Sequence, residues 1–71
     1  MNTAVTPIAT LSPRETEVLI YVSKGFTNAE IARLMRISKF TVADYLKSIF
    51  KELEVCTRAE AAVWAAKKGL V

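Results

Sequence analysis

A Ser or Thr followed three residues later by Glu occurs three times in this chain, as Ser12-Pro13-Arg14-Glu15, Thr27-Asn28-Ala29-Glu30 and Thr57-Arg58-Ala59-Glu60. Each is a capping box. The hydroxyl accepts the N–H of the third helical residue, and the Glu reaches back to the N–H of the cap. So many helix starts within 71 residues leave room only for short helices joined by tight turns. Pro13 at the first helical position and Leu11 just before the cap strengthen the first start.

Apolar spacing fills in the elements between these signals. Val18, Leu19 and Val22 recur at helical period after the first cap, and Lys24-Gly25 ends that helix with a residue suited to a left-handed turn. The second helix is short, Asn28 to Met35, with Ile31, Ala32 and Met35 as its apolar stripe. Arg36-Ile37-Ser38 is a turn, and Ser38 suits the N-cap of a third helix over about Lys39–Leu53. Val42, Tyr45, Leu46, Ile49 and Leu53 lie on one side of it. Glu54-Val55-Cys56 connects to a last, Ala-rich helix, Ala59 to Lys67, which carries Trp64. Lys67 and Lys68 complement its C-terminal dipole and Gly69 stops it. The expectation is all-α, with four helices and no strand. Residues 1–9 read as a flexible tail and 10–71 as a single domain.

Composition excludes several classes. A single Cys rules out an internal disulfide and fits a reducing cytosol. The chain has no His, the commonest general base and metal ligand, and its two glycines form no phosphate loop. Cys56 lacks the His partner of a thiol nucleophile. These features argue against an enzyme, and no metal, cofactor or small-molecule ligand is expected. No apolar run reaches the roughly 18 residues of a membrane span. The net charge of +3 is unevenly spread. Arg33, Arg36, Lys39, Lys47 and Lys51 face a single acid, Asp44, giving +4 within one stretch. That stretch is either a solvated basic face or a surface for a polyanion.

The second and third helices, joined by a turn of about three residues, form a helix-turn-helix arrangement. The small Ala32 lets the two helices cross closely, and Ile37 plugs the gap between them. If Val42, Tyr45, Ile49 and Leu53 point inward, then Phe40, Ala43, Asp44, Lys47 and Lys51 point away. Lys47 and Lys51 suit guanine edges or phosphates, and Phe40 suits a thymine methyl. Asp44 has two readings: an acceptor for a cytosine amino group, or a local partner for Lys47. Ser38 and Thr41, and likewise Thr27 and Asn28, combine helix capping with phosphate contact at helix N-termini. Lys39, near the start of the third helix, and Ser48, beside Lys47, complete the expected DNA-facing set. Arg58 either binds phosphate or pairs inside the domain with Glu15 or Glu17.

These residues resemble a known family. Leu11-Ser12-Pro13-Arg14-Glu15, Glu17-Val18-Leu19, Gly25, Thr27-Asn28, Glu30-Ile31-Ala32, Ile37-Ser38, Thr41-Val42, Ile49, Leu53, Val55, Arg58 and Gly69-Leu70 look like the LuxR-type helix-turn-helix pattern. The resemblance implies a four-helix DNA-binding domain of a bacterial transcription factor. It also implies dimers formed through the last helix, with Ala59, Ala62, Val63, Ala66 and Lys67 at the interface. Most members carry a sensor or receiver domain first. If Met1 is the natural start, the chain is similar to the stand-alone members, such as the small sporulation regulator of that family; the ordinary N-terminal tail favours this over an excised piece.

Four positions depart from the pattern. Ala43 stands where the family has Lys, Tyr45 where it has His, Glu52 where it has Lys and Glu54 where it has Gly. The loss of cations implies altered specificity or weaker DNA binding. That leaves a second function class in play: an interaction partner that grips DNA poorly and modulates another regulator by heterodimerisation. For Trp64 the choice is between the dimer surface and the core against the first helix. Ile20 and Leu34 fall at outward positions and widen any interface.

Overall fold

The computed structural model describes residues 11–70 and contains four helices, α1 (Pro13–Ser23), α2 (Asn28–Met35), α3 (Lys39–Leu53) and α4 (Arg58–Lys67). Among the described residues there is no strand. The segment read as a tail, 1–9, lies outside them.

Every helix begins at its expected cap. Ser12, Thr27 and Thr57 close complete capping boxes with Glu15, Glu30 and Glu60. In the first, the Glu15 N–H donates to Ser12 Oγ at 3.1 Å and the Ser12 N–H donates to Glu15 Oε1 at 2.8 Å. Ser38 accepts the Thr41 N–H at 3.0 Å, but Thr41 stands where the other helices have Glu. The start of α3 is thus capped by a hydroxyl without a carboxylate.

α1 is the hub, packed against α4 and α3, while α2 lies mainly on α3. Val18, Leu19, Ile31, Val42, Ile49, Ala61 and Ala65 are fully buried, and Leu11 joins them from ahead of the first cap. Ala32 is buried and Ile37 is half-buried against the core, its N–H donating to the Ala32 carbonyl at 3.0 Å. Both residues thus lie on the inner side of the helix pair, where the sequence reading put them. Thr16, the one buried polar side chain among the described residues, donates its hydroxyl to the Ser12 carbonyl at 2.9 Å. That bond removes the cost of an unpaired buried hydroxyl.

Two side chains, Tyr45 and Ile20, sit differently from the sequence reading. Tyr45 is half-buried on the flank of α3, and Leu46 takes the core position beside Val42 and Ile49. At 3.6 residues per turn, position 46 is closer than 45 to the centre of the buried face. Ile20, read as outward, is half-buried, because α1 is enclosed by both α3 and α4. Trp64 leans on the core while one face stays open, and Lys68 Nζ lies 5.5 Å from its ring centroid.

Two helices end on a non-glycine residue in the left-handed region, α2 at Arg36 (φ 58°) and α3 at Glu54 (φ 57°). At Glu54 the chain turns so that the Val55 N–H reaches the Phe50 carbonyl at 3.0 Å. At Arg36 the same reversal sends the Ile37 N–H to Ala32. These reversals set the angles at which α2 meets α3 and α3 meets α4.

Candidate nucleic-acid interface

The buried side of α3 is Val42, Leu46, Ile49 and Leu53. Helical geometry places Phe40, Asp44, Lys47 and Lys51 directly opposite, in a stripe about 60° wide. All four are exposed, Phe40 at 76%. Ala43 and Ser48 flank the stripe and are exposed too. Nothing in the described part of the chain covers this side. Lys39, Arg33 and Arg36 are exposed at the near end of α3, on α2 and in the turn. The sequence reading counted Arg33 and Arg36 toward the local charge without assigning them a site, and Arg36 now stands on the αL corner that opens toward α3.

Asp44 forms no ion pair within 4.0 Å among the described residues; the one pair found there joins Arg14 and Glu17 at 3.9 Å. The local Asp44–Lys47 partnership weighed from the sequence is therefore not made. The carboxylate is left free in the middle of the outward stripe.

The helix N-termini differ in their electrostatics. At α2 the Glu30 carboxylate occupies the end of the helix, with the Thr27 N–H donating to its Oε1 at 2.8 Å. Hydrogen bonds from the Thr27 backbone and side chain hold the Glu30 carboxyl below the usual carboxylate range. At α3 no acid lies in the first turn, and the Ser38 and Thr41 hydroxyls are 3.0 Å apart. The positive end of α3 is thus open to an anion, with two hydroxyls beside it.

Arg58 pairs with neither Glu15 nor Glu17. Its Nη1 donates to Asn28 Oδ1 at 2.6 Å and its Nη2 to the Phe26 carbonyl at 2.7 Å. The reason is topological: the α4 start lies against the loop that opens α2. The fork ties three elements together and fixes Asn28 with its amide oxygen occupied, leaving the amide N–H2 as the group free to donate. Nearby, Phe26 stacks on Tyr21 with ring centroids 5.6 Å apart. No spacing rule in the sequence links positions 26, 28 and 58, so this tie was not legible.

On α4, Ala61 and Ala65 face the core. Ala59, Val63, Ala66 and Lys67 are exposed, Val63 at 54%, and Ala62 is half-buried. Val55, Ala59, Val63 and Trp64 line a shallow groove of about 380 Å³ edged by Glu60 and Lys67. A smaller recess lies over α2 between Phe26 and the exposed Leu34.

A short helix bracing a longer one whose outer side is bare and carries two lysines defines a helix-turn-helix DNA-binding domain. The family model for bacterial regulatory proteins of the luxR family matches residues 9–65, and the chain belongs to that family. Transcriptional regulatory protein ComA of Bacillus subtilis (strain 168) is 44% identical over 61 residues, which cover 86% of this chain and 28% of that protein. Response regulator protein VraR of Staphylococcus aureus (strain NCTC 8325 / PS 47) is 36% identical over 61 residues, 86% of this chain and 29% of that protein. VraR of Staphylococcus epidermidis gives the same figures. The chain therefore spans less than a third of the length of these curated relatives. No helix among the described residues is long and apolar enough to cross a membrane.

Proposed function

We propose that this chain binds duplex DNA as a sequence-specific transcriptional regulator, with α3 in the major groove and two copies joined through α4. The observation that carries the reading is the bare stripe Phe40, Asp44, Lys47 and Lys51, opposite the buried side of a helix held rigid by α1 and α2. Lys47 reaches base edges near the centre of the stripe, and Lys51 and Lys39 neutralise phosphates to either side. Ser38, Thr41, Thr27 and the Asn28 amide donate to the backbone at the two helix starts. Arg58 acts through Asn28, holding it in position. Residues 10–71 act as one unit in this reading.

The dimer is supported by the exposed Ala59, Val63, Ala66 and Lys67 row beside an apolar groove. An acid and a base at its edges suit a two-fold, self-complementary contact. The names of the relatives, a transcriptional regulatory protein and response regulators, agree with a regulatory role.

Fluorescence anisotropy with duplex pools over a salt series tests the reading. Affinity falls steeply with salt, by a log–log slope of about −0.9 for each phosphate neutralised. Lys47→Ala weakens binding to a selected site by roughly 1–3 kcal/mol and narrows the gap between selected and random DNA. Absence of binding at low salt, together with a stable mixed dimer with another regulator, would instead assign the chain the role of a partner that modulates that regulator.

A further inference from the structure

The outward stripe of α3 changes character along its length: apolar at Phe40, anionic at Asp44, cationic at Lys47 and Lys51. We infer that Phe40, Asp44 and Lys47 select a half-site in which a thymine precedes a G·C pair, with Phe40 on the thymine methyl and Asp44 on the cytosine amino group. The inference rests on the reading of α3 as the groove-entering helix and adds the bases that this helix prefers.

The argument begins with Asp44. An acid on the face that approaches a duplex is repelled by phosphate, so it lowers affinity for all DNA unless a donor meets it. Within the protein it has no ion-pair partner among the described residues, and its exposure leaves both oxygens available. In the major groove the donors are the cytosine N4 and adenine N6 amino groups. Adenine sets an acceptor, N7, beside its amino group, which suits an amide better than a carboxylate. Cytosine offers the amino group without that neighbour. Lys47 follows one turn later with the opposite charge. Guanine, the partner of that cytosine, presents only acceptors, O6 and N7, along the same edge. One acid and one base on adjacent turns thus match the two halves of one G·C pair.

Phe40 lies a turn before Asp44, about 6 Å along the helix, or about two base-pair steps. Its side chain is 76% exposed on the side away from the core, and it makes no aromatic stack among the described residues. The single apolar group displayed by bases in the major groove is the thymine C5-methyl. From Phe40 to Lys47 the stripe covers about 10 Å, or about three base pairs.

The test selects duplexes from a random pool with the full chain, then changes one group at a time. Selected sites share a thymine and a G·C pair one to three positions apart. Replacing that thymine by deoxyuridine removes only the methyl and weakens the unaltered protein about fourfold. Phe40→Ala binds the two duplexes equally. Asp44→Ala loses about tenfold of its discrimination at the G·C pair, because its affinity rises for sequences that offer Asp44 no donor and does not rise for the selected site. Both positions are exposed, and unchanged helical circular dichroism verifies the fold of each variant. If deoxyuridine makes no difference, or if Asp44→Ala tightens binding to every sequence alike, this base assignment is overturned while DNA binding stands. If the unaltered chain binds no duplex at low salt, the groove reading beneath it falls as well.

Discussion

Glu54→Gly is expected to make this domain more stable, by an amount that can be worked out from its backbone. Glu54 sits at φ 57°, ψ 44°, just past the end of α3. An L-residue there brings Cβ against the following carbonyl, at a cost of about 1–2 kcal/mol. Its carboxylate also lies at the negative end of the helix dipole, an unfavourable contribution of a few tenths of a kcal/mol for an exposed side chain. Glycine removes both terms but gives the unfolded chain more freedom, an offset of about 0.5–1 kcal/mol. The net gain is about 1 kcal/mol, which for a domain of this size is a rise of about 4–8 °C in Tm. Thermal unfolding followed by circular dichroism, at fixed protein concentration, measures it. Glu54→Ala and Glu54→Gln separate the causes, because both keep the Cβ and remove the charge. The reasoning fails if the Gly variant is no more stable than the Ala variant, since the strain would then not exceed glycine's entropy offset. Arg36 provides a contrast at φ 58°. Its cation favours the C-terminal end of α2, so Arg36→Gly gains less than Glu54→Gly.

Arg58→Ala leaves Asn28 Oδ1 and the Phe26 carbonyl without their donor. Loss of these charge-assisted bonds is expected to cost about 2–3 kcal/mol in urea unfolding, with Arg58→Lys recovering only part because an ammonium cannot fork. Glu30 is ionised more readily in the folded protein than in the unfolded chain. Its stabilisation is therefore present above the ordinary carboxylate pKa and is lost as pH falls through the lowered value. Glu30→Gln, which still closes the box, should flatten part of the fall in Tm on acidification below about pH 5; an unchanged acid limb would show that Glu30 carries none of it. Val63→Glu places a charge in the exposed α4 row and is expected to make the protein monomeric in sedimentation equilibrium at concentrations where the parent self-associates. A parent that is monomeric throughout would refute the α4 dimer.

The helices were legible because the capping signals act locally. Each box needs only four consecutive residues, and the caps at Ser12, Thr27, Ser38 and Thr57 therefore start helices where the sequence places them. The outward stripe of α3 was legible for a related reason: helical period alone fixes what lies opposite Val42 and Ile49. Contacts between distant segments were less accessible. Arg58 had several carboxylates and carbonyls within plausible reach, and only the path of the loop before α2 decides among them. The left-handed residue at 54 was half legible. The family pattern has Gly there, but the consequence of Glu needed the dihedral angle.

The acids and cations of this chain divide between two physical tasks, and the division bears on how the domain can both fold and bind. Glu15, Glu30 and Glu60 are spent on helix starts, where each offsets the positive end of a dipole and satisfies backbone donors. The start of α3 has no such carboxylate and relies on Ser38 alone. An acid at that point would strengthen the helix locally, but it would also stand beside the phosphates of any duplex entered by the stripe. Stability is instead supplied from elsewhere, by the α1 hub and by Arg58 tying α4 to the entry of α2. The helix that presents Lys47 is held in place by interactions that a bound duplex leaves intact, so its outer side chains are free to vary. Substitution of Phe40, Ala43 or Asp44 is expected to cost the fold little, because all three are exposed and outside the packing that positions α3.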